Sequence, residues 1–362
     1  MQRSTRLLSG LAAAAFVAGA LSACTTPAPV GDEVEIPTSS DQVSGEIDTS
    51  LVKPDLVVGV DNPHYLFHED ILIADREGYF AEYGIESVEI ITSDDPLPGL
   101  IGGSLDFALF DTDGSIAAAA KGGDLRVMSI YLGGENNILG VRAGIDSAAD
   151  LVGTTITGGQ AGSRNDFLLR KLLTDNGVDP DADVQIVSTG GQSNERLQAI
   201  IAGTVDGATI QPRHELLLEE AGGSVLFSEL TTAPQVGFSA SSALSAEFPD
   251  TTAAFHAAIL KARAWILDPA NQDDALDYFE SLGFDTPEAY RQAWAVENDP
   301  EYHTADGGFD IADMDGFIAE QIEFEEIAAG TDWREFVDLL PLWRAQANLG
   351  LPLRPSPEDF AG

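Results

Sequence analysis

Two kinds of residue in this sequence are placed to do chemistry. The first is a set of carboxylates. Residues 107–115 read FALFDTDGS, an apolar strand pattern that runs into Asp111 and Asp113. Such a pair at a strand end can serve as nucleophile and general acid/base around a divalent ion. It can equally accept hydrogen bonds from an amine, amidine or heterocyclic N–H. Asp61 stands likewise after the apolar run 55–60 (DLVVGV) and opens the loop Asp61-Asn62-Pro63-His64. The second kind is backbone. The loop 158–163 (GGQAGS) leads into a helical pattern, with Ser163 and Asp166 at capping-box spacing. Its N–H groups can face an anion or a carbonyl, or the loop is simply a well-capped helix start.

The FALFDTDGS run resembles the first motif of haloacid-dehalogenase-like phosphatases, where Asp111 would be the nucleophile and Asp113 the general acid/base beside magnesium. That chemistry also needs a lysine and a later acidic pair at strand ends. The four lysines are Lys53, Lys121, Lys171 and Lys261. Lys121 follows too closely, and Asp273-Asp274 lies in a helical stretch. A calcium loop would need a terminal Glu where Gly122 stands. Gly237-Phe238-Ser239-Ala240-Ser241 lacks the closing Gly of a nucleophile elbow. The histidines, at 64, 68, 214, 256 and 303, make no close zinc pattern, and no Glu stands between His64 and His68. The sequence therefore calls for no catalytic residue, no metal and no cofactor, with the phosphatase as the alternative.

The elements that must position these groups alternate between strand and helix. Strands are predicted at 55–61, 88–91, 106–110, 125–131, 154–157, 184–188, 206–210 and 236–241. Helices are predicted at 67–80, 96–103, 114–121, 164–176, 192–202 and 213–221. From 251 onward the pattern is almost wholly helical, near 251–267, 272–281, 286–296, 311–327 and 334–348. This alternation predicts an α/β fold with mainly parallel sheets flanked by helices.

One unit occurs twice. Residues 100–111 read LIGGSLDFALFD and residues 200–211 read IIAGTVDGATIQ. Each has an apolar helix end, a Gly at 103 or 203, an Asp at 106 or 206, and a strand running into Asp111 or Gln211. The Gly can close its helix as a left-handed cap. Two similar α/β lobes follow from this, with polar groups at strand ends lining a crevice.

Several fragments carry a family resemblance. They are Glu77-Gly78-Tyr79-Phe80 with Tyr83-Gly84-Ile85, residues 102–110, Asp150-Leu151-Val152-Gly153-Thr154-Thr155-Ile156, Gly162-Ser163, Asn176-Gly177-Val178-Asp179-Pro180 and residues 202–208. In order and spacing, over about 55–250, the chain resembles the type II periplasmic binding proteins. More narrowly it resembles the NMT1/THI5-like group, which includes receptors for sulfonates, taurine, nitrate and thiamine-pyrimidine precursors. The resemblance implies a non-enzymatic, extracytoplasmic receptor that hands a small polar or heterocyclic solute to the permease and ATPase subunits of an ABC importer. It implies two lobes, 54–142 plus 236–362 and 143–235, that close on a hinge over the ligand. Its binding groups map to Asp61, Asn62, Pro63, His64, Asp111 and Thr112, and to Gln160, Ala161, Gly162, Ser163, Asn165, Gln192 and Gln211. Asp61 or Asp111 equally suits a helix cap, His64 a solvated loop, and Gln211-Pro212 a helix start. Tyr65 and Phe67 could stack on a flat ring, although core packing also suits Phe67. Arg164 and Arg213 are the only cations near these loops, which disfavours a strongly anion-selective site and favours an amino-heterocycle. A Cys-rich motif associated with pyrimidine-precursor proteins is absent. The group also holds an enzyme of pyrimidine synthesis with the same fold.

The N-terminus speaks for export. Arg3 and Arg6 precede an uncharged run, 7–21, which leads through Ser22 and Ala23 to Cys24, the only cysteine. Residues 1–23 fit a secretory signal, and the apolar run 7–21 is too short for a membrane span, which needs about 20 residues. Leu21-Ser22-Ala23-Cys24 resembles a bacterial lipobox, so Cys24 is the expected lipidation site and the anchor to the extracytoplasmic face of the membrane. Residues 24–53, with three prolines, six acids and no aromatic, are expected to form a disordered tether. Export leaves a ligand-sensing lipoprotein as a further alternative and argues against a cytosolic enzyme. Lys and Arg total 18 against 60 Asp and Glu, a formal charge of −42. Such a surface excludes nucleic acid as a partner, because phosphate binding needs cations. Without a disulfide partner the chain must be stable through its own core, as an expected monomer.

Overall fold

The computed structural model describes residues 36–362 apart from 62–63, 162, 190–191, 285–287 and 301. The expected signal peptide and Cys24 lie outside the described residues, as do Asn62, Pro63, Gly162 and the side chains of Tyr65 and Arg164. The strands are β1 (Asp55–Val60), β2 (Ser87–Thr92), β3 (Phe107–Asp111), β4 (Arg126–Val141), β5 (Thr155–Thr157), β6 (Gln185–Ile186), β7 (Gly207–Ile210) and β8 (Ser224–Ala240). The first seven helices are α1 (Glu69–Arg76), α2 (Tyr79–Glu82), α3 (Leu97–Ile101), α4 (Thr112–Ala120), α5 (Arg164–Asp175), α6 (Ser193–Ile201) and α7 (Glu215–Glu220). The C-terminal helices are α8 (Ser242–Glu247), α9 (Thr251–Ile266), α10 (Gln272–Ser281), α11 (Glu288–Glu297), α12 (Ile311–Glu323), α13 (Leu340–Leu349) and α14 (Pro357–Ala361).

Hydrogen bonding runs across the strands in the order β2-β1-β3-β8-β4-β7-β5-β6. The outer strands at each end are parallel, β2-β1-β3 on one side and β7-β5-β6 on the other. Between them β4 and β8 form one long antiparallel ribbon. The carboxyl-side part of β8 pairs with β3, from Val236 to Ala240, whereas the carboxyl-side part of β4 pairs with β7, from Ile138 to Val141. The protein is thus a two-lobed α/β structure with a shared ribbon.

The ribbon is only half visible in the sequence. The predicted strands 125–131 and 236–241 are its two ends in one lobe. The missing middle contains Gly133-Gly134, Asn136-Asn137 and Pro234, residues that signal turns. Proline cannot donate to a ladder, and the register breaks beside it. Gly134 faces Thr232 and Leu132 faces Val236, so Ala233, Pro234 and Gln235 bulge opposite Gly133 alone.

The repeated unit takes the same form twice. Gly103 (φ 75°) and Gly203 (φ 71°) end α3 and α6 in the left-handed region that glycine adopts without strain. Asp106 accepts the Val57 N–H at 2.9 Å, and its own N–H donates to Val57 O at 2.8 Å. Asp206 does the same with Thr155, at 2.7 and 2.6 Å. Each carboxylate also holds a cation, Lys53 at 2.6 Å and Arg142 at 2.5 Å. These aspartates lock β3 and β7 onto their parallel neighbours, so Asp111 and Gln211 emerge from equivalent strand ends.

Packing follows the two-residue period of strands. In β4, Ile138 joins a core with Leu197, Ile200 and Ile210 on one face of the sheet. Leu139, its neighbour, joins Ile156, Leu169, Leu172 and Leu173 on the other. The first lobe is built around α9, which is apolar on nearly every side and buried along most of its length. Phe255 stacks on Phe107 with ring centroids 4.0 Å apart.

The segment 36–53 departs from the tether expectation. The Gly45 and Glu46 carbonyls accept from Asn348 and Arg344, at 2.8 and 2.5 Å. Val52 is buried in the main core. The composition lacks a pattern for self-contained structure, but α13 supplies the partners its backbone needs. The rest of the expected tether, 24–35, lies outside the described residues.

Replacing Asp206 with Ala strands the Thr155 N–H and frees Arg142. A loss of about 1–3 kcal/mol is expected, seen as a lower urea midpoint at unchanged slope. An unshifted midpoint would show that this turn does not hold β7 in place.

Candidate functional site

Three strand ends and the ribbon bulge converge on one cleft. Its cavity volume is about 360 Å³, within the range of small-molecule sites. Asp61 enters directly after β1, Asp111 ends β3, and Gln211 follows β7. This is where α/β sheets bind ligands, beyond the carboxyl ends of their strands. Gln235 and Val236 enter from the bulge, with Leu132 opposite. A bulge re-aims side chains out of the regular pleat, and here it delivers an amide to the cleft. Asn165 (α5), Gln192, Ser193 and Arg196 (α6), Arg213, Tyr302 and Phe317 (α12) complete the opposite wall, with Asp113 and Phe67.

The charges in this wall are held unequally. Arg213 donates to Glu297 at 3.1 Å, and the Glu297 carboxylate is fully buried. Arg196 is buried, with its Nε donating to Thr209 O at 2.6 Å. Burial pushes its pKa down to about 10, so it remains a cation at neutral pH. Asp61 differs. Its Oδ1 is buried and has no hydrogen-bond partner among the described residues. Burial pushes its pKa up to about 6, opposed only by its own backbone N–H.

Neutral groups are tightly arranged. Ser193 Oγ accepts the Gln211 N–H at 3.0 Å and lies 2.8 Å from His214 Nδ1. Burial first, then Arg213 and Arg196, push the His214 pKa down to about 3, so its ring is neutral and Nδ1 can accept a hydrogen bond from the Ser193 hydroxyl. The Tyr302 hydroxyl donates across the cleft to Gln211 Oε1 at 3.4 Å, a long contact. Tyr302 is held from behind. Its neighbour His303 lies 3.2 Å from Glu69 and 3.5 Å from Asp70, fully inside the protein. Arg263 donates to Glu69 at 3.0 Å and to Asn298 at 2.7 Å in the same cluster. Glu69, Asp70 and His303 are close enough to share an ion, but the Arg263 guanidinium already supplies the counter-charge.

A family comparison adds to this geometry. The NMT1/THI5 like family matches residues 67–272, more than half of the chain. The chain belongs to the NMT1/THI5-like family. No curated protein matches it. Solved structures share the fold at low identity. The putative periplasmic sulfonate-binding protein SsuA of Methylobacillus flagellatus KT is 17% identical with a TM-score of 0.64, over 83% of this chain and 96% of that one. The periplasmic nitrate-binding protein NrtA of Synechocystis PCC 6803 is 17% identical with a TM-score of 0.57, over 84% and 92%. A single-residue mutant of DszB in complex with biphenyl-2-sulfinic acid is 14% identical with a TM-score of 0.62, over 82% and 99%.

In this NMT1/THI5-like chain the cleft gathers five of the residues singled out from sequence: Asp61, Asp111, Asn165, Gln192 and Gln211. Of the others, those among the described residues are placed elsewhere. Thr112, the first residue of α4, is fully buried. Ser163 caps α5, accepting the Asp166 N–H at 3.3 Å, and does not line the cleft. Gln160 and Ala161 are exposed outside it. His64 is not among the residues that line the cleft, and its Nδ1 accepts from Leu66 N–H at 3.3 Å. Burial and then Arg213 hold its pKa well below the ordinary range. Among the described residues of the Gly-rich loop, Ser163 is the helix N-cap. Phe67 both packs on the core and lines the cleft.

Sequence reasoning missed Ser193, Arg196, Gln235, Tyr302 and Phe317. Ser193 stands directly after Gln192 at the start of α6, one residue from a position that was singled out. Gln235 is hidden by Pro234, and Tyr302 and Phe317 come from the distant helical region. The phosphatase alternative is not assembled. Asp111 and Asp113 line the cleft, but no lysine does. Lys53, Lys171 and Lys261 pair with Asp106, Asp175 and Glu82, and Lys121 is exposed at the end of α4.

Two outcomes follow. The Asp61 pKa is raised on folding, so the unfolded chain releases this proton first and stability falls as pH rises from about 4 to about 6. Asp61→Asn should flatten that slope and stabilise the unliganded protein at neutral pH by on the order of 3 kcal/mol; a steeper slope would contradict it. Arg213→Met should destabilise by about 3 kcal/mol by taking a cation away from the buried Glu297 carboxylate, with Glu297→Leu restoring most of the loss. An additive double variant in urea denaturation would contradict the pairing.

Proposed function

We propose that the protein is an extracytoplasmic solute receptor of an ABC importer. It captures one small polar or heterocyclic solute in the cleft and delivers it to a permease. The observation that carries this is the convergence of Asp61, Asp111 and Gln211, from three strand ends, on one cavity of about 360 Å³. Family membership supports it, as do the structural neighbours named as periplasmic sulfonate- and nitrate-binding proteins. The cleft is lined by amides and charged groups that bind and orient. Its serine beside a histidine, Ser193 with His214, is engaged in holding the Gln211 N–H at the strand end.

The proposed lobes are 54–142 with 236–362, and 143–235. On that division the Tyr302–Gln211 contact and the Arg213–Glu297 pair join one lobe to the other, and the bulge at 233–235 is the hinge. A secretory signal at 1–23 and a lipid anchor at Cys24 complete the proposed receptor, which stays at the outer face of the cell membrane as a monomer. The described residues contain no helix long and apolar enough to cross a membrane.

Thermal melting against a panel of sulfonates, nitrate, amino-pyrimidines and related solutes tests this function. A true ligand at 100 times its Kd should stabilise the protein by about 2.7 kcal/mol, and Gln211→Ala should weaken the effect. Absence of any shift across the panel, with melting intact, would count against a solute receptor.

A further inference from the structure

We propose that the cleft selects a small organic cation (an amine, amidine or protonated nitrogen heterocycle) with Asp61 as its counter-charge. This deepens the receptor function above and rests on it. The sulfonate and nitrate named for two structural neighbours are anions, so this chain would differ from them in the charge of its ligand.

The geometry around Asp61 carries the inference. Its carboxylate follows β1 at the cleft floor, and Oδ1 is buried with no hydrogen-bond partner among the described residues. Among those residues no Lys, Arg or His forms an ion pair with it, although nearly every other buried acid in the first lobe has one. Glu69 has Arg263, Asp106 has Lys53, and Asp250 has Arg344 at 2.7 Å. Asp338, likewise partly buried and without an ion pair among the described residues, instead accepts the Leu340 N–H at 3.1 Å, whereas Asp61 Oδ1 has no partner among the described residues and faces the cavity. Buried charges are otherwise paired or neutralised, and a bound cation is the partner that would complete Asp61. Burial pushes this carboxyl up only to about 6, so it is mainly ionised at neutral pH and available to a cation.

The cleft cations are already partly engaged. Arg213 is already answered by the buried Glu297, and Arg196 is anchored on the Thr209 carbonyl. An anion seated here would lie beside Asp61, with like charges side by side in a partly desolvated site. The remaining lining suits a nitrogen cation. Gln192, Gln211 and Gln235 offer carbonyl acceptors for its N–H groups. Phe67 and Tyr302 offer aromatic surface, which attracts cations over its face.

The test uses the full chain and two sets of probes: benzamidine, 4-aminopyridine and agmatine as cations, ethanesulfonate and nitrate as anions. Binding is measured by calorimetric titration and by melting. At least one cation is expected to bind the wild type, with affinity falling roughly 30-fold or more in Asp61→Asn. Asp61→Glu, which keeps the charge, should retain part of it. Because Asp61→Asn is expected to raise stability, loss of binding in it cannot be loss of fold. An anion that binds while the cations do not, unaffected or strengthened by Asp61→Asn, would overturn the cation class and leave the receptor function standing. Failure of all three cations overturns the cation class too, and the broader solute panel then decides whether the receptor function falls with it.

Discussion

The long antiparallel ribbon of β4 and β8 is the constraint on which the rest of the structure depends. Each lobe has parallel outer strands that cannot reach the other lobe. Only the ribbon belongs to both, through β3 on one side and β7 on the other. The register breaks where it passes between them, at Leu132–Gly134 against Thr232–Val236. A regular ladder there would be stiff and would point no amide at the cleft. The bulge around Pro234 breaks the pairing and places Gln235 in the cleft lining, so in the proposed receptor one irregularity would supply both the hinge and a binding group.

Much of this is legible in the sequence because it rests on local chemistry. The twofold echo LIGGSLDFALFD and IIAGTVDGATIQ predicts two equivalent strand ends, since a left-handed Gly and a strand-locking Asp work within a few residues of the chain. The same logic identifies Asp61, Asp111 and Gln211. The middle of the ribbon is illegible because its Gly, Asn and Pro residues carry turn signals, and only pairing over about a hundred residues overrides them. Tyr302 and Phe317 are illegible for a related reason, as nothing near them in sequence indicates which surface they cover. The segment 36–53 reads as a tether because its partners lie on α13, almost three hundred residues away.

Buried charge organises the interior of a strongly acidic protein. With only 18 Lys and Arg in the chain, the buried cations Arg263, Arg213 and Arg196 each have a defined acidic or carbonyl partner. Arg263 ties α9 to α1 and to the Asn298 loop, and His303, in the same cluster, fixes the position of Tyr302 at the cleft. Arg213 ties the turn after β7 to α11. Asp61 has no ion pair among the described residues and sits at a strand end facing the cavity. In the proposed receptor, the residue that carries this structural cost is also the one that meets the ligand.

The central claim is that a small solute is held between the lobes, against Asp61 and Gln211. A crystal structure of the protein with the solute that gives the largest melting shift tests it most directly. One molecule is predicted in the cleft, within hydrogen-bonding distance of the Asp61 carboxylate and of Gln211 or Gln235. A solute bound elsewhere on the surface, with the cleft holding only water, would contradict it.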